Sequence, residues 1–568
     1  TSGAEIFDSG FNWQFSSAGY SFNTTYDDIN NASATYASWT FRKQAKFFDV
    51  VTWTGSGTAR NISHNLGSAP GCVIVKRTDS AASWQVWHRS TTQTNQFAGY
   101  LNSTGAFAAT GDALWGTPTT GTPNMNASTI SIGDSTFVNA SGGTYVAYLF
   151  AHDAGGFGDS GNESVIKCGG YTGNGTATGP FIDLGWEPQW ILIKNASSTG
   201  DWVMIDNMRG FLRDGNSAWF RANLANAEAF QDYVSIGPTG FNPTFNYQNV
   251  NTNGSQYVYI AIRRGPMKTP TDATKVFDAN KSTNATAAWT PGFPVDVLFN
   301  SRLSAASPYV ASRLTGKKPS LRTSDTAAEY NDGTDYYSFD ATTNTMAQSF
   351  LQGAGDYLRY SFRRAPGFFD VVAYTGTGSA TTISHNLGVA PELMLVKARG
   401  AAAYWRWYWA SLGATKNFYM PNNEAAVTQT EVWNNTAPTS SVFTVGTSSD
   451  TNFNGRTYVA YLFATCPGVS KCFNYTGTGT TKQIDCGFTN GARFVMIKRT
   501  DSTGDWYVWD SARGIISGND PYLLLNSTAA EVTNTDYIDP YSAGFEISST
   551  APAAINANGG SYIGLAIA

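Results

Sequence analysis

"YTGNGTATGPFIDLGWEPQWILIKNASSTGDW", residues 171–202, recurs three more times along the chain without a gap. Its counterparts are "WTGSGTARNISHNLGSAPGCVIVKRTDSAASW" (53–84), "YTGTGSATTISHNLGVAPELMLVKARGAAAYW" (374–405) and "YTGTGTTKQIDCGFTNGARFVMIKRTDSTGDW" (475–506). Each opens on an aromatic residue, Trp53, Tyr171, Tyr374 or Tyr475. A lysine follows at one fixed position, Lys76, Lys194, Lys397 or Lys498, and the stretch closes on Trp84, Trp202, Trp405 or Trp506. Repetition at fixed spacing marks a tandem architecture and decides how everything else is read.

Inside the stretch the pattern is that of strands. "WILIK" and "FVMIK" are apolar on both faces up to the lysine, as a central buried strand is. "DWVMID" and "DWYVWD" follow after the short turns "ASSTG" and "TDSTG", which predicts a hairpin. Runs of this kind are separated by Gly, Asn, Ser and Thr clusters, and convincing helical periodicity is scarce.

Each repeat ends on a further shared strand: "TYVAYLFA" (144–151), "QYVYIAIRR" (256–264), "TYVAYLFA" (457–464) and "SYIGLAIA" (561–568). Two more closing strands, "YASWTFRK" (36–43) and "YLRYSFRR" (357–364), lack an obvious opening and define a third kind of unit. In that unit "FPVDVLFNSRL" and "PYVASRLTG" are diverged forms of the lysine and tryptophan strands. First-type units begin with "FFDVV" and carry "ISHNLG"; second-type units carry "STGDW" followed by "MRG" or "ARG". The expected units are therefore 1–45 (partial, third type), 46–153 (first), 164–268 (second), 275–366 (third), 367–465 (first) and 470–568 (second). We number the five complete ones 1 to 5. The order is a three-unit cassette copied along the chain, entered partway through, as in a piece of a longer array. At about 100 residues each, the units suit an all-β tandem array of antiparallel β-sandwiches of jelly-roll or lectin-like form. Modules linked by flexible segments would make a rod or a row of beads.

Composition agrees. Charged residues are 14% and aromatics 14%, with 57 glycines, which favours strands and turns, and 42% hydrophobic content excludes a disordered chain. A net charge of −5 without basic runs argues against nucleic acid as a partner. No apolar run is long enough to span a membrane. The opening "TSGAEIFDSG" has neither a signal-peptide pattern nor an initiator Met. Five scattered cysteines do not form a disulfide framework, although Cys466 and Cys472 are close enough to pair.

Candidate chemistry is sparse. His64 and His385 occupy one repeated position where second-type units have Ile182 and Cys486, so packing explains them better than catalysis. Asp206 and Asp510 are repeated acids beside aromatic strands, but first-type units replace them with His88 and Trp409. No nucleophile elbow or phosphate loop is present, and the reading is of no enzyme, no resident metal and no cofactor. The acids of "HDAGGFGDSGNES" (152–164) suggest a calcium loop or, preferably, a flexible linker. The repeated lysines are read as structural, each stem lying on the indole of its own tryptophan.

The phrases "YVAYLFAHDAGGFG", "VIKCGGYTGNG", "GWEPQWILIKNASSTGDWVMIDNMRG" and "YIAIRRGPMKTPT" resemble an uncharacterised repeat family common in predicted tail-fibre and other virion structural proteins of marine tailed bacteriophages. The resemblance implies a surface-exposed virion component, a fibre or a capsid or tail appendage. For such a component we expect a contribution to host attachment through a host surface glycan, and contacts with other virion proteins or with itself, most simply as a homotrimer, because a flexibly linked array of small sandwiches needs the stiffness and avidity that symmetric oligomers supply. It carries no catalytic residues. The alternative is a secreted or cell-surface array of carbohydrate-binding modules. Specificity is expected in the variable middles 85–144, 203–256, 406–457 and 507–561. There Trp115, among glycines and threonines, is the candidate to stack on a sugar, or else it packs under its own loop.

Overall fold

The computed structural model describes residues 3–4, 13–16, 19–22, 27–91, 97–110, 112–116, 124–212, 216–283, 288–316, 320–331, 337–338, 345–346 and 355–568. It is nearly all β, with 41% strand and 5% helix, arranged as tandem antiparallel β-sandwiches. Among the described residues no sheet draws strands from two units. Among the described residues α-helix is confined to single turns such as Asp112–Trp115 and Thr430–Trp433. None is long and apolar enough to cross a membrane.

One plan recurs. In unit 4 the large sheet runs Phe369–Thr375, Thr457–Phe463, Leu393–Ala398, Trp405–Trp409, Lys416–Met420, Val427–Thr428 in spatial order. The closing strand thus lies between the opening strand and the lysine strand, paired on both edges. A small sheet, Thr381–Ser384 with Val442–Val445, covers one face. Units 1, 2 and 5 repeat this with five or six strands in the large sheet and two or three in the small one. Unit 3 keeps a five-stranded sheet and a short hairpin, Tyr337–Ser338 with Thr345–Met346. In the partial unit, Trp13–Ser16 pairs with Gly19–Phe22.

A four-residue lock ties the ends of each of these four units together. The opening aromatic stacks on the closing tyrosine: Trp53 on Tyr145 at 5.5 Å, Tyr171 on Tyr257 at 5.0 Å, Tyr374 on Tyr458 at 5.2 Å, Tyr475 on Tyr562 at 4.8 Å. Just before each tyrosine stands a buried asparagine, Asn139, Asn251, Asn452 or Asn556. Asn452 accepts from the Thr377 amide at 2.8 Å and donates to the Ser379 carbonyl at 2.6 Å, so it holds the Gly-rich turn after the opening strand. The other three asparagines make the same pair of bonds. The turn comes so close that a Cβ on Gly376 would lie 2.3 Å from the Phe453 carbonyl oxygen, which only glycine avoids.

Both faces of the large sheet are buried. Strand alternation sends Met394, Val396, Tyr408 and Leu462 of unit 4 toward its own small sheet, into a core that includes Trp433 and Phe443. It sends Leu393, Leu395, Trp405, Trp407, Tyr461 and Phe463 the other way, into a second core shared with units 3 and 5. Phe299, Tyr360 and Phe362 of unit 3 and Phe494, Met496 and Leu565 of unit 5 point into the same core. The three units therefore pack outer face to outer face around a common apolar axis. This corrects the expectation of a row of beads: a sandwich with both sheet faces apolar has no solvated face to offer, so it must pack against its neighbours.

The expected flexible linker is also corrected. In 152–164 the Gly156 amide donates to the Gly161 carbonyl, Phe157 and Glu163 pair their backbones, and Asp159 accepts from the Thr269 hydroxyl at 2.7 Å. Its acids do not converge on a cation site: Asp153 faces Lys167 and Glu163 faces Arg263. All five cysteines are free thiols and buried, so Cys466 and Cys472 do not pair.

Candidate functional site at the seams between units

The repeated lysines and tryptophans meet at the seams. Lys397 is 0% exposed; its ammonium donates to the Ala403 carbonyl of its own hairpin turn and to the Thr326 carbonyl of unit 3, at 2.8 and 3.1 Å. Lys498 does the same with Gly504 of its own turn and Asn423 and Glu424 of unit 4. Lys194 donates to Asn195 and to Thr104 of unit 1. Lys76 donates to the Ala82 carbonyl of its own turn at 2.8 Å. The expected lysine-on-indole contact is therefore corrected in its chemistry: the ammonium is held by carbonyl dipoles, and that of Lys498 also lies over its tryptophan ring, 5.8 Å from Trp506. Burial pushes the Lys194, Lys397 and Lys498 ammonium groups down to about 8, as expected for cations taken out of water.

Backbone bonds repeat with the lysines. A loop of the preceding unit lies against the hairpin turn of the next. The Ala403, Gly504 and Gly200 amides donate to Thr326, Asn423 and Thr104. In return the Glu329, Ala426 and Phe107 amides donate to Arg399, Thr500 and Ala196. The indole N–H groups of Trp405 and Trp202 donate across the seam to the Arg322 and Tyr100 carbonyls, both at 2.9 Å. Trp506 instead lies against Trp407 of unit 4, the ring centroids 3.8 Å apart and the planes tilted by 32°. The seam from unit 5 back to unit 3 uses the equivalent loop, with the Glu531 amide donating to the Leu303 carbonyl at 2.8 Å. Units 3, 4 and 5 thus form a closed head-to-tail ring, and units 1 and 2 form part of a second one.

The repeated acids belong to the same seams. Asp510 is 0% exposed and accepts from the Tyr360 hydroxyl of unit 3 at 2.8 Å and from Arg513 at 2.6 Å. Asp206 accepts from the Trp39 indole at 3.1 Å and from Arg209 at 2.7 Å. His88 donates from Nε2 to the Tyr259 carbonyl of unit 2 at 3.1 Å while Nδ1 accepts from the Ser90 amide. Burial pushes its imidazole down to about 3. His64 and His385 each bond one backbone carbonyl and one backbone amide within their own unit, as packing residues do.

A buried ion cluster joins the two rings. Glu187 of unit 2 receives Arg364 of unit 3 through both carboxylate oxygens, at 2.7 and 2.5 Å. Arg364 also reaches Asp370 of unit 4 at 2.7 Å, and Arg264 lies 3.3 Å from Glu187. Burial opposes the Asp370 charge, yet Arg364 and Arg264 hold its carboxyl below the usual range.

Trp115 lies away from every surface. It is 0% exposed, in the core of unit 1, and Trp433 of unit 4 occupies the matching single-turn helix and is equally buried. A ring without an exposed face cannot stack on a sugar, so the candidate ligand contact is withdrawn and Trp115 is a core residue. The family model for DUF7483, a domain of unknown function, matches residues 3–266 and 359–568. The chain belongs to the DUF7483 family. Both matched segments run from a third-type tail through a first-type and a second-type unit. All of unit 3 except its closing residues 359–366 lies between them. None of the curated proteins matches the chain.

What sequence reasoning missed is the partner of each repeated residue. Asp206, Asp510, Glu187 and His88 act across seams, so their partners lie in other units. The asparagine lock did leave a signal: Asn, Gly and Tyr recur with one spacing at Asn139–Gly142–Tyr145, Asn251–Gly254–Tyr257, Asn452–Gly455–Tyr458 and Asn556–Gly559–Tyr562.

Proposed function

We propose that the chain is a stiff structural component of a tailed-phage particle, a surface appendage or fibre segment that presents variable loops toward host glycans and contacts other virion proteins. The observation that carries this reading is the use made of the repeated residues: Lys194, Lys397, Lys498, Asp206 and Asp510 all join one unit to another. Repetition here makes a larger rigid body, which is mechanical work. The resemblance of the repeated phrases to virion structural proteins points the same way. The internal ring of three supplies the stiffness that would otherwise motivate a homotrimer. Burial of Trp115 removes the one aromatic contact that favoured an array of carbohydrate-binding modules.

Antibody raised to the chain should decorate intact particles in electron micrographs, at a fixed place on each. Absence of label from purified particles, with the chain found free in the medium, would overturn the proposal.

A further inference from the structure

The tail segment 36–43 sits in the first ring as 357–364 sits in the second. Phe41 lies 5.8 Å from Phe150 and 5.3 Å from Phe48; Phe362 lies 5.7 Å from Phe463 and 5.3 Å from Phe369. Trp39 bonds Asp206 as Tyr360 bonds Asp510. The surroundings differ. In the second ring Tyr357–Phe362 is the middle strand between Phe277–Ser282 and Val297–Arg302. Phe277 and Phe299 pack on Phe362 at 5.0 and 5.7 Å, Phe299 reaches Tyr461 at 6.0 Å, and Tyr357 is 0% exposed. In the first ring no described strand pairs with 36–43, and Tyr36 is 49% exposed. Trp39, Phe41, Trp84, Tyr148 and Phe220 are half-buried where their counterparts Tyr360, Phe362, Trp405, Tyr461 and Leu523 are buried. The loop carrying Glu228, the counterpart of Glu531, is exposed, and among the described residues no hydrogen bond joins it to a third unit.

We propose that the face made by units 1 and 2 with segment 36–43 is a docking surface for the first half of a third-type sandwich, a polypeptide with the strand pattern of Phe277–Arg322. It adds a strand on each edge of 36–43, covers Phe41 and Tyr148 as Phe299 covers Phe362 and Tyr461, and receives the Glu228 loop as Leu303 receives that of Glu531. The second ring is the template: the same face there is continuous with an interface already filled. A second copy of the whole chain does not fit, because its own Phe277–Arg322 segment is paired to its own closing strand. Sheet extension on two edges joins main-chain bonds to apolar cover, as in other strand-addition complexes.

The test places a duplicate of residues 267–330 ahead of residue 1 of the full chain and follows amide exchange at residues 37–42. Docking predicts at least a hundredfold slower exchange there and reduced binding of an apolar fluorescent dye. A control duplicate carrying Phe→Asp at the positions copied from Phe277 and Phe299 should leave both as in the natural chain. Unchanged exchange in the fused chain would overturn the proposal. So would a natural chain already protected at 37–42 that loses protection on dilution, since a second copy would then be the occupant.

Discussion

Asn452 shows how much one polar side chain carries. It is 0% exposed, and its amide joins the opening turn to the closing strand through the Thr377 amide and the Ser379 and Gly446 carbonyls. Asn452→Leu is close in volume but leaves a buried donor and two acceptors unpaired, each costing about 1–3 kcal/mol. Chemical denaturation should show at least about 3 kcal/mol lost; a loss under 1 kcal/mol would mean that water replaces the amide. The lock was legible in the repeated Asn, Gly and Tyr spacing, because all its parts lie inside one unit. The lysines were legible as structural for the same reason, through their fixed distance from Trp84, Trp202, Trp405 and Trp506. Their carbonyl partners Thr104, Thr326 and Asn423 were not, since those sit in another unit at no fixed spacing.

At the level of elements, the central strands announced more than a sandwich. "WILIK" is apolar on both faces, which correctly implied a strand covered twice, but a sequence does not say what covers the second face. Trp190 and Leu192 there meet unit 1, while Ile191 and Ile193 meet the unit's own small sheet. The middles of the first-type units differ in length, 61 residues from Trp84 to Tyr145 against 53 from Trp405 to Tyr458, which hid the equivalence of Trp115 and Trp433 and left Trp115 open between a sugar contact and packing under its own loop. Glu187 tests the packing of elements from different units. Its carboxylate is 6% exposed and faces Arg364 and Arg264. Removing one member of a buried ion set strands the others, at about 3–5 kcal/mol. Glu187→Gln should lower stability by that amount at pH 7. Proteolysis should then cut first near 265–275, between the rings; a variant as stable as the parent would show that the cluster is solvated.

Across the whole molecule, four neutral histidines set an acid limit. Burial holds His64, His88, His152 and His385 below their usual value, His88 to about 3 and His152 to about 4. The folded values lie below the unfolded value of about 6.5, so between them the unfolded chain binds more protons. Their contribution is complete above about pH 6.5 and is lost as pH falls toward 4 and 3. His88 alone should give a slope of up to about 1.4 kcal/mol per pH unit in that window. Urea midpoints measured from pH 7 to pH 4 should fall accordingly, less steeply in His88→Gln. The central claim, that the units close on one another instead of forming a row, is tested most directly by small-angle X-ray scattering on the monomeric chain. Packed rings predict a radius of gyration of about 25–30 Å, near the compact-chain value for this length. A row of five separate sandwiches, each of about 13 Å radius of gyration, would give about 45 Å and contradict the account.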